Sequence, residues 1–223
     1  MKAVIFDLDG IITDTAGYHF LAWKALAEEL DINIDNEFNE QLKGISRIES
    51  LERILRKGKV ENKFSLAEKE ELAVKKNEEY KKMIEQMSSA DILPGIERLL
   101  YQLNKANILI GLASASQNGP VILKKLGLHT LFDTIVDPAT LSAGKPNPEI
   151  FEKAAEQLNC LVSECVGIED AAAGVESINR ANMVSIAVGD KKVLSAADKT
   201  VDSTEELTME RIKKAWTEFS GTN

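Results

Sequence analysis

Ala3-Val4-Ile5-Phe6-Asp7-Leu8-Asp9-Gly10 is a short apolar run that breaks off in acid. Residues 2–6 read as a strand buried on both faces: brief, carrying β-branched Val4 and Ile5, and stopped by Asp7 and Gly10. Alternation along an extended segment places the Asp7 and Asp9 side chains on one face. An acidic turn can show the same D-x-D spelling, so the mark of this pair is its position at the mouth of a buried strand.

Downstream, from about residue 17 to 88, the chain turns helical and highly charged. Leu51, Ile54 and Leu55 fall at helical spacing. Tyr80, Met83, Ile84 and Met87 form an i, i+3, i+4, i+7 stripe, and Ser65 with Glu68 spells a capping box ahead of it. After Pro94-Gly95 the pattern alternates. Strands are predicted at 108–113, 134–136, 165–168 and 184–188, separated by helices marked by Leu99-Leu100-Leu103, Val121-Ile122-Leu126 and Ile150-Phe151-Ala154. Such alternation predicts right-handed crossovers and a Rossmann-like parallel α/β sheet with helices on both faces. Residues 1–14 and 91–223 would then form the α/β catalytic core, and 15–90 a helical cap domain inserted after the first strand.

The chain has 223 residues with a formal charge of −9, 44% hydrophobic and 28% charged. That composition is globular rather than disordered. The acidic balance argues against a nucleic-acid surface, which needs a basic face, and means that an anionic ligand must be met by a locally positive pocket. Cys160 and Cys165 are too few for a disulfide scaffold and match no zinc spacing. The amino-terminal apolar run is shorter than a signal peptide's, and no stretch approaches a membrane span. A cytoplasmic chain without a membrane anchor is expected, and a monomer, since no heptad pattern appears.

In open parallel sheets, ligands bind beyond the carboxyl ends of the strands. The residues there are Asp7-Leu8-Asp9-Gly10, Ser114-Ala115-Ser116, Asp137-Pro138, Glu169-Asp170 and Gly189-Asp190. Carboxylates dominate, and converging carboxylates repel unless a cation neutralises them. A hard divalent ion fits, Mg2+ best where the ligand also brings phosphate oxygens. Ser114 reads either as a turn and cap residue or as a hydroxyl that holds a phosphoryl oxygen. Lys145, in Ala143-Gly144-Lys145-Pro146-Asn147-Pro148, is a positive charge in a proline-stiffened loop. Glu169 and Asp170 complete an oxygen shell with Asp7, or Asp170 serves as a cap.

These four pieces, in this order and each at a strand end, strongly resemble the haloacid-dehalogenase-like phosphotransferase superfamily. Its motifs are DxD, a Ser or Thr, a Lys and an acidic pair, and the resemblance spans essentially the entire chain. Phe6 to Gly10, Thr13-Asp14-Thr15, Tyr18-His19, Ala22-Trp23-Lys24, Leu42-Lys43-Gly44, Ser46-Arg47 and Ser114-Ala115-Ser116 with Asn118-Gly119-Pro120 look like the β-phosphoglucomutase family within it. The resemblance implies interconversion of β-glucose 1-phosphate and glucose 6-phosphate through a glucose 1,6-bisphosphate intermediate. It implies Asp7 as the nucleophile, forming an aspartyl phosphate, and Asp9 as general acid and base. Mg2+ is implied on Asp7, the carbonyl of Asp9, Glu169 and Asp170. Ser114, Ala115 and Lys145 would hold the transferring phosphoryl group. Lys43, Gly44, Arg47, Ser50 and Lys76 of the insert, with Ser116 and Asn118 of the core, would grip the sugar and its distal phosphate. Thr15 and His19 fall at the hinge, near Asp9, and Trp23 either packs within the cap or touches sugar. His129 has no motif context and reads as structural. Gln117 departs from a lysine found in some members. Asp9 disfavours a dehalogenase or a transport ATPase, while a sugar-phosphate phosphatase stays open as the rival activity and a non-catalytic phosphate sensor as the non-enzymatic one.

Overall fold

The computed structural model describes residues 1–42 and 44–220. Its centre is a six-stranded, wholly parallel sheet built from β1 (Ala3–Phe6), β2 (Leu109–Leu112), β3 (Thr134–Ile135), β4 (Cys165–Glu169), β5 (Val184–Val188) and β6 (Lys199–Val201), in the order β3-β2-β1-β4-β5-β6. The chain builds outward from β1 through β2 to β3, then returns to the other side of β1 with β4. The strand order therefore reverses at β1, and such a reversal opens a crevice at the carboxyl ends of the flanking strands.

Alternation sorts the sheet into two faces. Val4 and Phe6 of β1 join a core with Leu99, Leu100 and Leu103 of α5 (Ile96–Lys105), Ile122 and Leu123 of α6 (Gly119–Lys125), and Ile212 of the last helix (Met209–Phe219). Ala3 and Ile5 face the opposite core, with Phe151 and Ala154 of α7 (Glu149–Gln157) and Ile178 of α8 (Ala172–Arg180). β1 is fully buried on both sides, which is why its sequence shows no polar alternation. β6 went unanticipated because it has three residues, of which only Val201 is buried.

Among the described residues, four α-helices lie between β1 and α5: α1 (Ala16–Glu29), α2 (Asn36–Glu40), α3 (Arg47–Lys57) and α4 (Leu66–Ile84). The α4 capping box forms as expected, with Ser65 and Glu68 bonding reciprocally. Leu51, Ile54 and Leu55 of α3 pack with Trp23, Leu26 and Ala27 of α1 and Ala73 of α4 in a core of their own. The far end of α4 departs from that pattern: Tyr80 and Ile84, with Met87 beyond, join the cluster on the sheet. One helix thus belongs to both packing units. Among the described residues no helix is long and apolar enough to cross a membrane.

Leu51 is fully buried in the insert's own core. Leu51→Ala is expected to cost about 2–5 kcal/mol, measured by urea denaturation followed by circular dichroism.

Candidate active site

The carboxyl ends of β1, β2 and β4 meet under the insert, and between them lies a cavity lined by residues of both core and insert. Asp7 follows β1, Ser114 follows β2, and Glu169 and Asp170 end β4, so three neighbouring strands deliver them to one place. Lys145 arrives from the loop before α7. Its ammonium donates to Asp7 Oδ1 and to Glu169 Oε1, both at 2.6 Å, and is 1% exposed. Burial works against that charge, but the two carboxylates outweigh it and hold Lys145 above the ordinary lysine range.

Glu169 is itself fully buried; its second oxygen accepts from the N–H groups of Asp170 at 2.8 Å and Ala171 at 2.7 Å, just ahead of α8. Two glycines make room for this acid cluster. A Cβ on Gly174 would lie 1.8 Å from Glu169 Oε1, and one on Gly10, whose φ is +73°, would lie 2.2 Å from Asp170 Oδ2. Asp7, Glu169 and Asp170 each offer a carboxylate oxygen, all within 4.8 Å of one another. An all-oxygen, anionic donor set of this kind fits a hard divalent cation.

Asp9 lies two residues from Asp7 but in different company. Its Oδ1 accepts from the Thr15 hydroxyl, in a short bond, and from the Thr15 N–H at 3.3 Å. The Tyr80 hydroxyl donates to Thr15 Oγ1 at 3.0 Å. On the other side, His19 Nε2 faces Asp9 Oδ2 at 3.8 Å, while Lys76 Nζ sits 2.6 Å from His19 Nδ1. An ammonium can only donate, so charged Lys76 makes Nδ1 the acceptor and places the imidazole proton on Nε2, toward Asp9. The His19 ring stacks on Tyr80 at 4.0 Å between centroids, and Lys76 lies over the rings of Trp23 and Tyr80 at 4.7 and 4.8 Å.

These surroundings move the titrations. Burial raises Asp7 to about 6 against the pull of Lys145, and burial with the charge of Asp7 raises Asp9 to about 7. Burial and the neighbouring cations hold His19 well below its ordinary value, and burial with Arg47 lowers Lys76 to about 7. Arg47 is depressed from its usual range by burial.

Of the residues singled out from sequence, Asp7, Asp9, His19, Trp23, Gly44, Arg47, Ser50, Lys76, Ser114, Ala115, Ser116 and Asp170 line this one cavity. Lys145 and Thr15 are buried behind that wall, donating to the carboxylates of Asp7 and Asp9, and Glu169 is buried there too, accepting from Lys145. Asn118 is turned away, its amide donating to Asn77. Lys43 lies outside the described residues. Sequence reasoning missed Asn39, Leu42 and Ile45, which also line the cavity, and the supporting residues Asn77 and Tyr80. Tyr80 sat in the apolar stripe of α4 and reads as core, which its ring is; nothing in the stripe betrays where the hydroxyl points.

A sequence profile of the haloacid dehalogenase-like hydrolases matches residues 1–182. The chain belongs to the haloacid dehalogenase-like hydrolase family. Within that family it is 51% identical over 219 residues to the β-phosphoglucomutase of Bacillus subtilis (strain 168), covering 98% of this chain and 97% of that one. The crystal structure of β-phosphoglucomutase from Clostridium difficile superposes with a TM-score of 0.97 at 49% identity, covering 98% of each chain. A phosphorylated carbohydrates phosphatase of Thermotoga maritima is 29% identical over 188 residues, 83% of this chain and 84% of that one. The family generally uses a metal ion, in keeping with the acidic cluster.

The raised aspartates give the pH dependence of stability a definite sign. Folded Asp7 and Asp9 keep protons, up to about 6 and about 7, that the unfolded chain sheds near 3.8. His19, held neutral when folded, refuses one proton that the unfolded chain takes up below 6.5. Up to about pH 6 two retained protons outweigh one refused, so the stability of the metal-free chain should fall as pH rises from about 4 to about 6, and the curve should flatten from there to about 7, where only the Asp9 proton stands against His19. It should recover above about 7, where unfolded Lys76 keeps a proton that the folded residue sheds. Urea denaturation across that range checks the curve, and a stability that climbs steadily between about pH 5 and 7 contradicts the arrangement.

Proposed function

We propose that this enzyme is a phosphoglucomutase that interconverts β-D-glucose 1-phosphate and D-glucose 6-phosphate through an aspartyl phosphate and a glucose 1,6-bisphosphate intermediate. The observation that supports it most directly is a single cavity with Asp7, backed by Lys145, in the core wall and Arg47 and Lys76 in the insert wall. Transfer needs only the core end. A bisphosphate that must turn end for end also needs a second cationic seat, and guanidinium binds phosphate bidentately.

Each residue has its own part in the transfer. Asp7, ionised above about 6, is the nucleophile. Lys145 neutralises the charge that gathers on it, and the Ser114 hydroxyl holds a phosphoryl oxygen. Asp9, titrating at about 7, is poised to give a proton to the departing sugar oxygen and to take one from the next attacking hydroxyl. Thr15 and His19 set its orientation, while Trp23, Gly44, Ser50, Ala115 and Ser116 shape the sugar pocket, with Lys43 and Asn118 assigned to the same substrate on the family resemblance. Asp7, Glu169 and Asp170, with the carbonyl of Asp9, would hold Mg2+, which when bound spreads the charge of the phosphoryl oxygens.

We take residues 1–14 and 91–223 as the catalytic core and 15–90 as the cap domain. We take the monomer as the working form, since no heptad pattern appears in the sequence. Both cysteines are free thiols, which suits the reducing cytoplasm.

A coupled assay for glucose 6-phosphate, started with β-glucose 1-phosphate and primed with bisphosphate, tests the reading; release of inorganic phosphate without isomerisation would assign a phosphatase instead. Asp9→Asn is expected to slow transfer by about 10²–10⁴ with folding retained. Arg47→Ala should depress isomerisation far more than hydrolysis of a small phosphoester, and equal losses in the two assays would remove Arg47 from the distal phosphate.

A further inference from the structure

Asn118 stands immediately before α6, at the position where asparagine is among the best side-chain caps, yet its side chain caps nothing there. It is 5% exposed, and its amide donates to Oδ1 of Asn77, itself 9% exposed, at 2.9 Å. Asn77 belongs to α4 of the insert and Asn118 to the core. The core loop that ends in Asn118 is a ladder starting at the reaction centre. Ser114 Oγ accepts from the N–H of Ser116 at 3.1 Å, and Ser116 Oγ accepts from the N–H of Asn118 at 3.3 Å. The last rung of that ladder is Asn77. Beside it on α4, Lys76 lines the cavity and Tyr80 reaches Thr15. A second seam closes the same gap from the α2–α3 connection, where a Cβ on Gly44 would lie 3.1 Å from the Ala171 methyl.

We propose that Asn77 is a positioning residue of the transfer reaction: it fastens the Ser114–Asn118 loop to the insert, so that the phosphoryl-binding loop and the closed cavity reach their final geometry together. The bond between the two amides replaces the cap that Asn118 gives up. A buried amide N–H left without an acceptor is costly, so closing the insert without Asn77 strands Asn118, and the closed form loses ground to the open one. A substrate that spans core and insert feels that loss. A small aryl phosphoester reacting at the core end does not.

The inference rests on the mutase reading, and the experiment separates the two. Asn77→Ala, Asn118→Ala and the double variant are assayed in the full chain for isomerisation of β-glucose 1-phosphate and for hydrolysis of p-nitrophenyl phosphate, with thermal unfolding to confirm the fold. The expected result for Asn77→Ala is a loss in kcat/KM for isomerisation of roughly tenfold, the worth of one buried hydrogen bond, with p-nitrophenyl phosphate hydrolysis unchanged. The double variant should be no worse than the poorer single one, and Asn77→Asp, which keeps the accepting oxygen, should restore most of the isomerisation. Additive losses, equal losses on both substrates, or no loss at all overturn the proposal. Should the unsubstituted enzyme fail to isomerise, the mutase reading falls by itself, and small-angle X-ray scattering with saturating inorganic phosphate still decides on Asn77. A more extended Asn77→Ala chain upholds the fastening role, and an unchanged profile removes it.

Discussion

A lysine ammonium buried between two carboxylates is the constraint around which the rest of the molecule is arranged. Lys145 is sealed from solvent with Asp7 and Glu169 at 2.6 Å each, and charges so deep in a protein are tolerated only when paired and hydrogen-bonded. Removing Lys145 leaves two buried carboxylates uncompensated, and removing either carboxylate takes one of the ammonium's two buried acceptors, so the three must arrive together. The parallel sheet achieves this because β1 and β4 are neighbours, in register from Ala3 opposite Cys165 to Phe6 opposite Ile168. The acid at the end of each strand therefore emerges beside the other. Gly10 and Gly174 then supply the clearance that carboxylates at this density require. With Asp170 added, the cluster carries more negative than positive charge, and that surplus is what a divalent cation and a phosphoryl group can share.

Two aspartates separated by one residue serve different purposes because their partners come from different parts of the chain. Asp7 is held by Lys145 and lies beside Glu169, both core residues. Asp9 is held by Thr15, flanked by His19, and reached through them by Tyr80 and Lys76, all at or beyond the start of the insert. Helix α4 is the common element, since Lys76, Asn77 and Tyr80, within little more than one turn, each bond to a different part of the site. Asp7 fixed in the core and Asp9 fixed by the insert suit the roles of nucleophile and acid proposed for them, in a reaction where water must be kept away until a sugar hydroxyl is in place.

The strand-end residues were legible in the sequence because a buried parallel strand is a nearly pure apolar run, and the residues at its carboxyl end reach the crevice by topology rather than by chance. Asp7, Ser114, Glu169 and Asp170 all fall in that class, and the structure brings them together. Lys145 gives no strand signal and was marked by its proline-stiffened loop together with the family resemblance, while Lys76, in a helix crowded with charged residues, was marked by the resemblance alone. Asn77 and Tyr80 were beyond reach for a different reason. Their meaning lies in partners 41 and 65 residues away, and helical periodicity reports which face is apolar without reporting what polar atom that face will meet. β6 was lost to brevity, as three residues with one buried side chain make no pattern.

The way the insert is joined to the core explains why Asp9 rather than Asp7 answers to it. Its two connections are stitched to each other: Thr13 pairs with Ile92, the Leu93 N–H donates to the Ile12 carbonyl at 2.9 Å, and the Thr13 hydroxyl donates to the Asp91 carbonyl at 2.7 Å. Thr13 also bridges to Asp9, and the N–H of Gly10 donates to the Thr13 carbonyl at 2.8 Å. The backbone is thus pinned up to residue 13 on one connection and from residue 91 on the other. Thr15 lies just past the pin, and it is the residue whose hydroxyl and N–H hold the Asp9 carboxylate. The Asp9 carboxylate thus takes its hydrogen bonds from a residue just beyond the pin, whereas Asp7 is bonded to Lys145 inside the core.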